Sequence, residues 1–216
     1  MITTRQFSSI AEQVAFTLLE IGAIRLSPEK PFKWASGWNS PIYCDNRLSL
    51  SFPASRTLIK EALVTLIKEH YPSVEAIAGV ATAGVPQGAL VAEALNLPFI
   101  YVRPKPKDHG MENLIEGKVV VGQKVVVLED LISTGGSSLK AVDALKASGI
   151  EVLGMAAIFT YSFEVAKKNF ESAKVSLHTL SDYTVLVKLA AEMGFIEPSA
   201  IASLAEWRSA PDKWGV

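Results

Sequence analysis

The sequence predicts an α/β fold: a central, mostly parallel sheet flanked by helices, with a small N-terminal appendage. Three observations predict it. From residue 76 onward, short apolar runs of strand length alternate with amphipathic helical stretches, the pattern of a parallel sheet covered on both faces. The segment before residue 50 breaks that rhythm. A length of 216 residues, 49% hydrophobic and 20% charged, suits one large domain or a domain with a small appendage. The expected division is 1–50 for the N-terminal helix and appendage and 51–216 for the core, in one structural unit.

The elements follow in order. Phe7, Ile10, Ala11, Val14, Leu18 and Ile21 stand at helical spacing, with Thr3 and Thr4 as candidate caps. Residues 31–47 are rich in aromatics, Gly, Pro and small polar residues and read as short strands and turns. A second helix starts near Pro53, with Leu58, Ile59, Ala62, Leu63, Leu66 and Ile67 on one face. Strands are predicted at 76–80, 99–102, 124–128, 152–160 and 175–180. Helices are predicted at 88–95, 137–147 and 163–172, and from a cap at Ser181 or Asp182 to Gly194.

Composition removes several classes of function. Lys plus Arg is 21 and Asp plus Glu is 22, a formal net charge of −1, which argues against a dedicated nucleic-acid binder. An anionic ligand then requires a local basic cluster. No apolar run approaches the ~18 residues of a membrane span, and residues 1–7 lack the pattern of a signal peptide. Cys44 is the only cysteine, so no intramolecular disulfide or multi-cysteine metal site forms, and the cytoplasm is the expected compartment. Trp207 and Trp214 read as exposed residues of packing or an interface. His70 and His178 fit structural positions better than catalytic ones. Cys44 lacks a partner base for nucleophilic work.

The strongest chemical signal runs from Val125 to Ser138. An apolar strand ends in Glu129 and Asp130, and Leu131 and Ile132 lead into Ser133, Thr134, Gly135, Gly136 and Ser137 before a helix. Backbone N–H groups and hydroxyls of such a loop wrap a phosphate, aided by the helix N-terminus. Carboxylates repel phosphate, so the two acids suit the vicinal hydroxyls of a ribose. The lysine of a P-loop is absent, and so is a GxGxxG pattern. A second feature follows the strand at 99–102. Arg103, Lys105 and Lys107 outnumber Asp108, beside His109 and Gly110, in a long polar loop. Such a loop is either a solvated basic segment or a lid that neutralises a leaving group. The third feature is the aromatic segment 32–47, with Phe32, Trp34, Trp38 and Tyr43. It is either a minicore under a hairpin or a surface for a flat heterocycle.

The first of these features resembles the phosphoribosyl pyrophosphate motif of type I phosphoribosyltransferases. Together the three resemble the orotate phosphoribosyltransferase family: Trp34 to Gly37 and Ser40 to Tyr43 match its N-terminal hood, Arg103, Lys107, His109 and Gly110 its mobile loop, and Glu129 to Ser137 its phosphoribosyl loop. The resemblance implies the type I phosphoribosyltransferase fold. It also implies transfer of ribosyl phosphate from phosphoribosyl pyrophosphate to orotate, giving orotidine monophosphate and pyrophosphate in pyrimidine biosynthesis. Further implications are inversion at the sugar through an oxocarbenium-like transition state, a homodimer with shared sites, and Mg2+ held mainly by substrate and water.

Residue by residue, the implied catalytic groups are Lys107, His109, Arg103 and Asp130. Phosphoribosyl pyrophosphate is expected on Arg103, Lys105, Lys107, His109, Thr82, Ala83 and the run from Glu129 to Ser137. Orotate is expected on Ser133, Tyr43, Cys44 and Ser36. Three positions depart from lysines or other basic residues found in family members: Ala35, Ala83 and Pro104. Lys105, Lys107 and the metal are expected to take over those pyrophosphate contacts. Two other readings compete: a transferase for a purine base, against which the hood speaks, and a non-catalytic sensor of phosphoribosyl pyrophosphate. The second needs a nucleic-acid-binding part, for which a chain of this length and charge leaves little room.

Overall fold

The computed structural model describes residues 6–34, 37–105 and 114–214. In chain order these form α1 (Ile10–Glu20), β1 (Ile24–Leu26), β2 (Phe32–Lys33), β3 (Asn39–Ser40), β4 (Ile42–Cys44) and a 3-10 helix (Asn46–Ser51). Then come α2 (Pro53–His70), β5 (Ala76–Val80), α3 (Gly84–Leu95), β6 (Phe99–Val102), β7 (Ile115–Glu116) and β8 (Lys124–Ile132). The chain closes with α4 (Gly136–Ala147), β9 (Glu151–Thr160), α5 (Glu164–Ala173), β10 (Leu177–Asp182), α6 (Tyr183–Glu192) and α7 (Ala200–Ser209).

The central sheet has the order β10-β9-β8-β5-β6-β7. Every pairing in it is parallel except β6 with β7. Two short antiparallel pairs, β1 with β4 and β2 with β3, make the N-terminal appendage. A strand with helices on both faces has no polar face to offer, and β5 accordingly is buried along its whole length. Val125, Val126, Val127 and Leu128 of β8 are fully buried, each contributing about 1.5–3 kcal/mol of hydrophobic stabilisation. α1 lays Val14, Ala15, Leu18 and Leu19 into the same core, packed on α6 and β10.

Several elements differ from the sequence expectation. The first helix is capped by Ser9, whose side chain accepts the Glu12 N–H; Thr3 and Thr4 lie outside the described residues. β8 does not stop at Leu128 but runs through Glu129 and Asp130 to Ile132, because β9 continues to pair with it as far as Ile132↔Thr160. α3 starts at Gly84 rather than at 88. The last strand starts at Leu177, because Lys174 ends α5 in the left-handed region and Val175 donates back to Phe170. β7 and α7 went unforeseen. β7 has two residues, and α7 has a weakly patterned sequence. Trp207 of α7 is not exposed. It is fully buried, with the rings of Trp34, Tyr161, Phe163 and Tyr183 at centroid distances of 5.3–5.6 Å. Trp214 is half-buried and donates from Nε1 to Ser203 Oγ (3.3 Å). His70 and His178 stack on each other at 3.8 Å, near the end of α2 and the start of β10, at the sheet edge opposite the strand carboxyl ends.

Candidate active site

The strand order fixes where a ligand fits. β5 passes through α3 to β6 on one side, whereas β8 passes through α4 to β9 on the other. The two crossovers diverge, so a crevice opens outside the carboxyl ends of β5 and β8, the switch point at which open α/β sheets bind ligands. Two helix N-termini flank it. Neither the N-cap of α3 (Ala83) nor that of α4 (Gly135) makes a side-chain capping bond. Their first N–H groups and dipoles therefore suit an anion.

Close approach of backbone builds the crevice. A Cβ on Gly84 would run into the Leu128 carbonyl, so glycine lets the start of α3 rest on β8. Gly135 has φ +80°, and a Cβ there would stand 2.6 Å from the Phe170 ring; both features select glycine. Asn169 Nδ2 donates to the Thr134 carbonyl (2.9 Å), and the Ile132 carbonyl accepts Thr160 Oγ1 (3.2 Å) and Tyr161 N–H (3.1 Å). These bonds hold the turn 133–135 on β9 and α5, with Ser133 and Thr134 half-buried and Ser137 exposed.

Glu129 and Asp130 differ in environment. Glu129 is 6% exposed. Its Oε1 accepts the Asp130 N–H and its Oε2 accepts Ser138 Oγ, both at 3.0 Å. Burial first and the Asp130 charge second push its carboxyl up to about 8. Burial also raises Asp130, while its bond with Glu129, the Leu131 N–H and the Arg47 charge hold it down. Burial thus raises both carboxyls, and Glu129, at about 8, is the one that holds a proton near neutral pH.

On the β6 side, Arg103 donates its backbone N–H to the Leu114 carbonyl (2.8 Å), and its Nη1 lies 3.6 Å from Glu116 Oε1. A cavity of about 510 Å3 brings Arg103 and Pro104 together with Ala81, Ser137 and Lys140. Lys105 is exposed at the start of the basic loop, and Thr82 and Ala83 form the turn between β5 and α3. Lys107 and His109 lie outside the described residues, as does Ser36.

The aromatic segment packs over the same end of the sheet. Trp34 Nε1 donates to the Ile42 carbonyl (3.1 Å), and the Trp34 ring lies 5.3 Å from that of Tyr161. On β4, Ile42 is buried while Tyr43 is partly exposed beside Phe32, with the Arg25 guanidinium over both rings. Cys44 donates to Asn46 Oδ1 (3.4 Å), and Asn46 Nδ2 donates to the Asp130 carbonyl (2.7 Å). Burial, then the Asp130 charge, pushes the Cys44 thiol well up, so it acts as a neutral donor and not as a nucleophile.

The structure thus brings Thr82, Ala83, Arg103 and the run from Glu129 to Ser137 to one sheet edge, with Tyr43 and Cys44 tied to it through Asn46. Sequence reasoning missed Asn46, Ser138, Lys140 and Asn169. Ser138 stood at the end of the quoted motif, but its tie to Glu129 depends on the helix turning back over β8.

Known proteins resemble the chain over most of its length. A sequence model described as a phosphoribosyl transferase domain matches residues 50–182. The orotate phosphoribosyltransferase of Cytophaga hutchinsonii is 63% identical over 203 residues, spanning 94% of this chain and 97% of its own. That of Porphyromonas gingivalis is 53% identical over 208 residues, spanning 96% and 99%. The crystal structure of orotate phosphoribosyltransferase from Aeropyrum pernix is similar with a TM-score of 0.74 at 28% identity, covering 85% of this chain and 99% of that one.

Proposed function

The chain belongs to the phosphoribosyl transferase domain family, within its orotate phosphoribosyltransferases, and on that premise we propose how its residues divide the reaction. The reaction transfers ribosyl phosphate from phosphoribosyl pyrophosphate to orotate, forming orotidine monophosphate and pyrophosphate in pyrimidine biosynthesis. The observation that carries the assignment of roles is the switch-point crevice, where an uncapped helix N-terminus adjoins the hydrogen-bonded acid pair Glu129 and Asp130.

The 5′-phosphate sits on the N–H groups and hydroxyls from Ser133 to Ser137, at the N-terminus of α4. The Asp130 carboxylate accepts from the ribose hydroxyls, and neutral Glu129 adds a polar contact without a second negative charge beside the phosphates. Ile132 offers backbone only, since its side chain is fully buried, and the Leu131 side chain is apolar and packs partly against the core. Thr82 and Ala83 present N–H groups at the start of α3 to the pyrophosphate. Arg103, Lys105, Lys107 and His109 stabilise the charge that develops as pyrophosphate leaves, an electrostatic task that fixed donors perform well. Tyr43, Cys44, Ser36 and Ser133 border the orotate and hold its ring nitrogen in line with the sugar carbon.

Magnesium enters the proposal as an ion carried mainly by substrate oxygens and water. Among the described residues no three carboxylate, imidazole or thiol groups converge as a metal cage, and the Asp130 carboxyl suits an ion that keeps most of its waters. Bound there, magnesium would neutralise diphosphate charge. The proposal also includes a homodimer in which the loop bearing Lys107 and His109 serves the neighbouring site, and a cytoplasmic location. Among the described residues no helix is long and apolar enough to cross a membrane.

Loss of orotate absorbance with phosphoribosyl pyrophosphate and magnesium, with and without chelator, tests the reading. Magnesium-dependent loss with orotidine monophosphate as product is expected. Transfer to adenine, guanine or hypoxanthine in place of orotate would overturn the acceptor assignment.

A further inference from the structure

Asn46 ties the hood to the acid pair with a hydrogen bond. It opens the 3-10 helix that follows β4, is 2% exposed, and is fixed from several directions. Asp45 accepts the Arg47 backbone N–H and grips the Arg47 guanidinium with two bonds of 2.7 and 3.0 Å. Ser49 Oγ donates to the Asn46 carbonyl (2.6 Å). Both ends of the Asn46 amide are used: Oδ1 accepts the Cys44 thiol, and Nδ2 donates to the Asp130 carbonyl across 84 residues of chain.

The place of that last bond matters. β5 accompanies β8 only as far as Gly79↔Leu128, whereas β9 accompanies it to Ile132↔Thr160. Asp130 therefore lies on a stretch of β8 with a strand partner on one edge only. A carbonyl in such a stretch needs a donor, and Asn46 Nδ2 supplies it. Asp130 is the residue whose carboxylate the proposed mechanism uses, and its side chain is set by its backbone.

We propose that Asn46 is a positioning residue: through the Asp130 carbonyl it fixes the Asp130 carboxylate for the ribose and locks the orotate-binding hood to the phosphoribosyl site. The inference rests on the functional reading above. Asn46 touches no substrate and acts through Asp130, so its removal changes the grip on phosphoribosyl pyrophosphate more than it changes the fold.

The test is a double-mutant cycle on the full-length enzyme with Asn46→Ala and Asp130→Asn, following KM for each substrate, kcat and thermal midpoint. Asn46→Ala is expected to raise KM for phosphoribosyl pyrophosphate about tenfold, the scale of one lost hydrogen bond to a functional group. In the Asp130→Asn background the same change is expected to cost less than about twofold, because residues acting through one another are non-additive. A purely structural role would lower the thermal midpoint with unchanged KM, or give the same loss in both backgrounds; either result overturns the inference. Asn46→Leu keeps the bulk of the side chain and removes the donor without adding charge, and it carries the same cycle if the alanine variant does not fold. A wild-type enzyme that forms no orotidine monophosphate defeats the functional reading, whereas an active wild type with an unaffected Asn46→Ala variant defeats only the role of Asn46.

Discussion

The phosphoribosyl corner and the hood are built by opposite means. The corner, from Glu129 to Ser137, is one continuous stretch held by ladder bonds to β9, by the start of α4 and by glycines at close approaches. The hood consists of strands of two or three residues and depends on single long-range contacts: Trp34 to Tyr161 and Trp207, and Asn46 to Asp130. A ligand that is mostly phosphate needs many backbone donors in fixed register, which a strand–turn–helix supplies. A flat heterocycle needs a few side chains on an adaptable surface. The difference predicts that corner variants, and Asn46 acting through the corner, change the grip on phosphoribosyl pyrophosphate, whereas variants of the hood's aromatic rings act on orotate.

The largest effect is expected at the backbone of the corner. Gly84→Ala drives a methyl into the Leu128 carbonyl, which cannot move without shifting β8. Overpacking of this kind costs about 3 kcal/mol, and near-complete loss of activity should accompany the fall in thermal midpoint. A variant of native stability and rate would show that the start of α3 is not held against β8. Asp130→Asn comes next: it should fold normally and lose about a hundredfold in kcat/KM for phosphoribosyl pyrophosphate, the scale of one preorganised charge. Steady-state kinetics with each substrate in turn measure it. Tyr43→Ala removes a partly exposed hood ring and should raise KM for orotate about tenfold, while KM for phosphoribosyl pyrophosphate stays within about twofold. An equal rise in both would erase the distinction between the two regions.

The smallest effect is a slope. Glu129 is raised from 4.5 to about 8 in the folded chain, so the folded state binds the proton more tightly than the unfolded one. Stability is then fullest below about pH 4.5 for this group and falls as pH rises toward 8. Glu129→Gln keeps the neutral shape and should flatten that part of the profile in thermal melts between pH 5 and 8. An unchanged slope would assign the proton elsewhere.

What the sequence revealed follows the same contrast. The corner was legible because its residues are contiguous and its chemistry follows from their order: apolar strand, two acids, hydroxyls and glycines, helix. The true end of β8 was not, since only pairing with β9 carries the strand through Glu129 and Asp130. In the hood, the aromatics drew attention but Asn46 did not. A polar residue in an irregular segment has no period from which burial can be read, and its partner lies 84 residues away. Trp207 looked exposed because α7 has no strong amphipathic pattern, yet it fills the centre of the aromatic cluster beneath Trp34.

The most direct test is calorimetric titration of phosphoribosyl pyrophosphate, with magnesium, into wild type, Tyr43→Ala and Asp130→Asn. The division of labour predicts wild-type affinity for Tyr43→Ala and at least about tenfold weaker binding for Asp130→Asn. Equal losses in the two variants, or an undiminished affinity in Asp130→Asn, would contradict it.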